Sequence, residues 1–259
     1  MIADCHTHIN CPRHDSDAAA HAETYKDIDV CFVLSHGHTP DRAEQNALTA
    51  DYAAKFPNKV YAFASVDPQT DKVSKNAVTS AITGSGFAGA VLPCSSLHFH
   101  PANSRAMRFY EAAEQIGFPI FFHNRAISSD SILDYAQPYL LDEVARTFPD
   151  LKIIIGDMGL PFVNQTIAMV TKHPNVYADL TICPKRVWQI YNTVVMAHEA
   201  GVMDKLIFGS GFPIAKPDEC IETLLGFNRL LADTNLPTVP REQIRTIIEK
   251  DIVTLLGIA

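Results

Sequence analysis

KIIIGDM, residues 152–158, sets three isoleucines in a row between a lysine and a glycine. The run is too short for a helix and lacks the polar alternation of a strand with one wet face. It predicts a strand covered on both faces, as parallel strands between helices are. Seven further short runs rich in β-branched or apolar residues occur: IADCHTHI (2–9), VCFVLSH (30–36), VYAFASVD (60–67), FAGAVLPC (87–94), PIFFHN (119–124), VYADLT (176–181) and LIFGSGFP (206–213). Their starts lie roughly thirty residues apart, the length of one strand–helix repeat.

Helical patterns fill the intervals. SRAMRFYEAAEQIG has Asn103 ahead of it as N-cap and ends in Gly117, suited to a C-cap. Pro217 opens KPDECIETLLGFNRLLA in the first turn, where proline is favoured. DRAEQNALTADYAAKF, YLLDEVARTF, VNQTIAMVTK and VWQIYNTVVMAHEAG carry apolar residues at three- and four-residue spacing. REQIRTIIEKDIVTLLGI reads as one closing helix. Eight such units in 259 residues predict an α/β fold, a (β/α)8 TIM barrel, with residues 1–259 as a single domain. A doubly wound open sheet is the competitor, but no glycine-rich phosphate-binding turn follows the first strand.

Hydrophobic residues make up 47% and charged residues 19%, as in ordinary globular proteins. The formal net charge of -8 argues against a nucleic-acid or anionic-membrane partner. No apolar run is long enough to span a bilayer, and no basic-then-apolar leader opens the chain. The six cysteines form no C-x-x-C pair and read as reduced thiols in a cytoplasmic protein.

In such a barrel the chemistry sits at the C-terminal ends of the strands. His6 and His8, two apart on the first strand, point the same way. His123 closes the fifth strand, across the barrel from the first. Three imidazoles meeting over the mouth would hold one divalent ion and leave a position for water. An H-x-H tripeptide also arises by chance, and a lone His123 would serve equally as a hydrogen-bonded core histidine.

ADCHTHI, GFPIFFHNR, FPDLKIIIGDMG, HPNVYADLT and DKLIFGSGFPI, in this order and spacing, resemble the amidohydrolase superfamily. The similarity is to its amidohydrolase-2 group, the aminocarboxymuconate-semialdehyde decarboxylase-like branch. It runs from the first strand to the last helix. The resemblance implies a (β/α)8 barrel with one divalent metal ion, zinc before manganese, that hydrolyses C–N or ester bonds or removes carboxylates. By position it implies His6, His8 and His123 as ligands. Two positions depart from the pattern: Asp157 stands where a histidine is usual on strand six, and Gly211 where an aspartate is usual on strand eight.

Glycine can neither ligate through a side chain nor move a proton, so Asp157 is the candidate fourth ligand, the candidate general base, or both. The alternative is an aspartate that only satisfies backbone amides in a turn. His36 and His38 follow strand two, and His98 and His100 follow strand four. With His6, His8 and His123 they put seven of the eleven histidines at strand ends. His36 and His98 are therefore candidate substrate contacts, against the alternative of solvated loop histidines. Arg125 is a candidate clamp for a substrate carboxylate or phosphate, with Lys185, Arg186 and Lys216 as weaker helpers. Asp4 is expected to point inward one layer below His6, to orient a ligand or make a structural hydrogen bond. Cys94 and Cys183 lie near strand ends without an adjacent base.

These residues support a metal-dependent hydrolase of a C–N, ester or lactone bond in a small anionic molecule, with a metal-activated water. One alternative is a decarboxylase of an unsaturated carboxylate on the same scaffold. The other is a non-catalytic barrel that has lost the strand-eight aspartate. The expected partner is a small-molecule substrate, with homo-oligomerisation left open.

Overall fold

The structure, a computed structural model, describes residues 1–9, 18–36, 41–123 and 128–258. Eight parallel strands follow one another around the sheet in chain order. They are β1 (Ala3–Thr7), β2 (Val30–Leu34), β3 (Val60–Ser65), β4 (Gly89–Val91), β5 (Ile120–Phe122), β6 (Ile153–Ile155), β7 (Val176–Thr181) and β8 (Leu206–Gly209). Past the end of β8 the chain returns to β1: His8 N donates to Phe212 O at 2.9 Å, and Gly211 N donates to His6 O at 2.9 Å. These two bonds bring the barrel to near closure.

Helices alternate with the strands: α1 (Ala18–Thr24), α2 (Arg42–Ala53), α3 (Lys75–Ala81), α4 (Ser104–Ile116), α5 (Asp142–Thr147), α6 (Val163–Lys172), α7 (Val187–Glu199) and α8 (Pro217–Leu225). The expected punctuation of α4 is present. Asn103 accepts from Arg105 N, and Gly117 adopts the left-handed conformation at φ 93°. The closing segment is two helices rather than one, α9 (Arg241–Ile248) and α10 (Ile252–Leu256). The break falls at Asp251, whose side chain accepts from Thr254 N at 3.0 Å and so starts a new helix. The turn lets Ile252 and Leu256 pack with Ala3, Val30 and Phe32, which plugs the barrel interior from the end opposite the mouth.

Inside the barrel Phe32, Phe63, Phe121 and Ile154 are fully buried. At about 1.5–3 kcal/mol for each large apolar side chain, this layer is a firm floor for whatever sits above it. A larger apolar cluster fills the space between strands and helices.

β1 departs from simple alternation, and the departure positions the site. It pairs Ala3 with Val30 and Asp4 with Cys31, but next Thr7 with Val33, so β1 carries one residue more than β2 over that stretch. Such a bulge resets which side chains face inward. Ala3 and Cys5 belong to the barrel interior, yet His6 and His8 also face it. The expectation that Asp4 points inward beneath His6 is corrected for the same reason. Its Oδ2 accepts from Tyr25 OH at 2.8 Å and its Oδ1 from Ser210 N at 3.1 Å, so it ties β1 to the helix layer and to β8. Burial raises its pKa to about 6, against the lowering effect of those donors.

Candidate metal centre

His6 lies in the bulged stretch of β1 and His8 directly follows the strand, 3% and 7% exposed. Each ring has its Nδ1 committed. His8 Nδ1–H donates to Leu34 O at 2.8 Å, and His6 Nδ1–H donates to Asp179 Oδ2 at 2.6 Å. A carbonyl can only accept, so the neutral His8 tautomer is settled and its Nε2 is a bare lone pair. Burial, then His36, His6 and His123, push its pKa well below the usual value. His6 Nε2 faces that lone pair at 3.2 Å.

His123 follows β5 and completes the group. One nitrogen from each of His6, His8 and His123 lies within 4.8 Å of the others. The His123 ring crosses His6 edge-on with centroids 4.6 Å apart and stacks on His8 at 5.3 Å. Its pKa is lowered by burial and by His6.

Asp157 stands just past β6, with its Oδ2 3.4 Å from His123 Nε2 and its Oδ1 3.8 Å from His6 Nδ1. It and Met158 adopt left-handed backbone, φ 51° and 52°. Aspartate tolerates that region better than most residues, and strain of this kind concentrates at functional sites. Burial pushes its carboxyl upward, but His6 and His123 outweigh that and hold it well below the usual carboxylate range. The side chain is 30% exposed, the most open of the group.

Asp179, in the middle of β7, was not singled out in the sequence. It is fully buried and touches His6 directly. The signal was there: an aspartate between alanine and leucine inside an apolar strand needs partners to be buried at all. His6, Asp157 and Asp179 form a second trio of closely spaced polar groups.

The donor set suits a divalent cation. Two nitrogens bound to one ion at about 2.1 Å stand about 3.0–3.4 Å apart at octahedral to tetrahedral angles, the range in which His6 and His8 fall. Without positive charge between them, two imidazole lone pairs at this distance repel. In the metal-free protein a proton serves: burial lowers the pKa of His6, but Asp179 and Asp157 overcome it and raise the value to about 9.

Of the other expected residues, His36 reaches the site. It is 8% exposed and stacks on His8 with centroids 4.4 Å apart. The structure does not gather His98 into this group. Its backbone is left-handed at φ 58°, its ring is exposed, and its Nε2 bonds Asp130 O at 2.6 Å, joining the loops after β4 and β5. His100 Nδ1 accepts from Ala102 N at 3.0 Å within its own loop. Lys185, Arg186 and Lys216 are exposed. Cys94 is buried, and burial pushes its thiol well above its ordinary value, which disfavours the nucleophilic thiolate. Arg125 and His38 lie outside the described residues. Ser65, which ends β3, is 1% exposed, and its Oγ has no hydrogen-bond partner among the described residues.

A family model described as amidohydrolase matches residues 3–249. No curated protein sequence matches the chain. Solved structures that it resembles include an uncharacterized TIM-barrel protein from Bordetella bronchiseptica, at 16% identity and TM-score 0.70 over 99% of both chains. A probable 2-pyrone-4,6-dicarboxylic acid hydrolase from Acinetobacter baumannii, with citric acid bound, is 13% identical at TM-score 0.68 over 99% of both. A 5-carboxyvanillate decarboxylase from Novosphingobium aromaticivorans, with manganese bound, is 11% identical at TM-score 0.67 over 99% of this chain and 97% of the other. At these identities the likenesses establish the barrel fold.

Proposed function

The chain belongs to the amidohydrolase family, and on that premise we propose that it is a divalent-metal enzyme that removes a carboxylate from a small unsaturated acid. The observation that carries the metal in this reading is the pair of Nε2 atoms of His6 and His8, 3.2 Å apart with both Nδ1 atoms already bonded; the likeness to a 5-carboxyvanillate decarboxylase is what favours carboxylate removal. His6, His8 and His123 hold the ion, zinc or manganese, and Asp157 stands beside it. When bound, the ion supplies positive charge that holds the substrate oxygens and stabilises the electron pair left as the C–C bond breaks.

The chain's own residues do the rest. His36, stacked on His8, walls one side of the substrate space. Phe121, edge-on to His6 at 5.4 Å, closes the floor against water. Arg125 remains the proposed anchor for a further anionic group. Asp157 handles the proton. Its carboxylate is the most open of the group and lies 3.4 Å from His123 Nε2, within reach of both water and the ligand histidines. From that place it takes a proton from water and passes it to carbon as carbon dioxide leaves, with the bonding pair kept by the substrate carbon.

Hydrolysis of an ester, lactone or C–N bond is the second reading, supported by the 30% exposure of Asp157, which leaves it open to water. The test is a panel of unsaturated and aromatic acids, esters and lactones, offered to protein loaded with manganese or zinc. Release of carbon dioxide that stops with chelator and in His8→Ala supports the proposal. Ester or lactone cleavage without carbon dioxide would favour hydrolysis. Bound metal with no turnover of either kind would leave a non-catalytic barrel.

A further inference from the structure

Gly209, which ends β8, and Gly211, two residues on, contribute no side chain, and the space they leave is occupied from β7. A Cβ at Gly209 would lie 2.3 Å from Asp179 Oδ1 and 2.9 Å from His6 Cβ; one at Gly211 would lie 2.9 Å from Thr181 Cγ2. Gly211 also sits at φ +66°, where a side chain is strained whatever the room. Gly209, Gly211 and the polar residues of β7 are parts of one arrangement: Asp179 can approach His6 only because residue 209 has no Cβ.

What Asp179 does there follows from its hydrogen bonds. Its Oδ2 accepts from His6 Nδ1–H at 2.6 Å, from Thr181 Oγ1–H at 2.8 Å and from the backbone N–H of Asp157 at 3.0 Å. Its Oδ1 accepts the Cys5 thiol at 3.6 Å. A carboxylate so fully engaged is poorly placed to bind an ion directly. It acts through its partners. Holding Nδ1–H turns His6 Nε2 toward His8, and holding the Asp157 amide fixes the left-handed turn that aims the Asp157 carboxylate at His123.

We infer that Asp179 is the positioning residue of the site, a buried carboxylate that sets both the His6 ring and the Asp157 turn while binding neither metal nor substrate. Thr181 and Cys5 hold it in place. The inference rests on the reading of His6, His8 and His123 as a metal centre. In metal sites, partners of this kind change affinity by about ten- to a hundredfold when removed.

The experiment uses the full chain with selectively 15N-labelled histidine and zinc as the probe ion. In wild type the His6 Nδ1 is expected to carry a proton in both the metal-free and the zinc-loaded protein. Asp179→Asn keeps the shape and removes the charge. It is expected to weaken zinc binding about ten- to a hundredfold and to move the His6 Nδ1 proton signal. Thr181→Val, which removes one donor, is expected to do the same to a smaller extent. A bare His6 Nδ1 in wild type overturns the inference even if Asp179→Asn fails to fold. Zinc affinity within about twofold of wild type in a folded Asp179→Asn overturns it too. Wild type that takes up no zinc instead overturns the metal reading beneath it.

Discussion

His6 Nε2 and His8 Nε2 face each other across 3.2 Å, and the Nδ1 atom of each ring is spent on a fixed acceptor behind it. That relationship gives His6 and His8 the geometry of a chelating pair. Alternation along a strand cannot produce it alone. The bulge in β1 brings Cys5 and His6 in succession onto the inner side, where both reach Asp179.

Asp157→Asn separates proton handling from metal binding. Asparagine tolerates left-handed backbone as aspartate does, so the turn at φ 51° survives and only the charge is lost. Turnover is expected to fall about 10²–10⁴-fold, the usual span for a lost general acid or base, with metal content unchanged. Metal lost along with activity would instead make Asp157 a ligand.

His21 makes the fold acid-sensitive. Thr7 Oγ1 donates to Phe32 O at 2.7 Å and so accepts from His21 Nε2–H at 2.9 Å, which leaves Nδ1 to accept from Tyr52 OH at 2.7 Å. The ring is neutral, and burial lowers its pKa to about 3. Because the folded value lies below the unfolded one, the unfolded chain takes the proton first as pH falls. Stability is therefore full above about pH 6.5 and declines toward pH 3, by about 1.4 kcal/mol per pH unit from this group. Urea unfolding of wild type and His21→Gln between pH 7 and 4 checks this. A variant with the wild-type slope would contradict it.

α10 holds the closed end of the barrel. Leu256 is 0% exposed among interior residues of the strands, so Leu256→Ala is expected to cost about 2–5 kcal/mol. Asp251→Ala, which removes the bonds to Thr254 N and Oγ1, should cost about 1 kcal/mol. Equal effects in thermal unfolding would mean that the plug adds nothing beyond its cap.

His98 belongs to the loops. His98→Asn keeps a residue that accepts φ 58° but cannot span to Asp130 O. Zinc affinity is expected to stay within about twofold, while melting falls by a few degrees for a hydrogen bond worth about 1 kcal/mol. A large loss of affinity would bring His98 into the site.

The barrel was legible in the sequence because parallel strands buried on both faces leave apolar runs such as KIIIGDM, and those runs recur. His6, His8, His123 and Asp157 were legible because each sits at or just past the end of such a run. Asp179 was hidden by lying inside a run, where the same apolar context that marks a strand distracts from the one charge it contains. The bulge in β1 was not readable, since an extra residue shows only against its partner strand. It is why Asp4 and His6, two residues apart, face opposite sides of the strand. The break before α10 had a local sign in Asp251 and Thr254, obscured by apolar periodicity that continues through it.

The most direct measurement is metal per chain, by elemental analysis of protein purified without chelator, in wild type beside His8→Ala. The expected result is about one equivalent of zinc or manganese in wild type, lost in the variant. Wild type that takes up neither ion even after incubation with both, or a variant that retains the full equivalent, would contradict the metal centre.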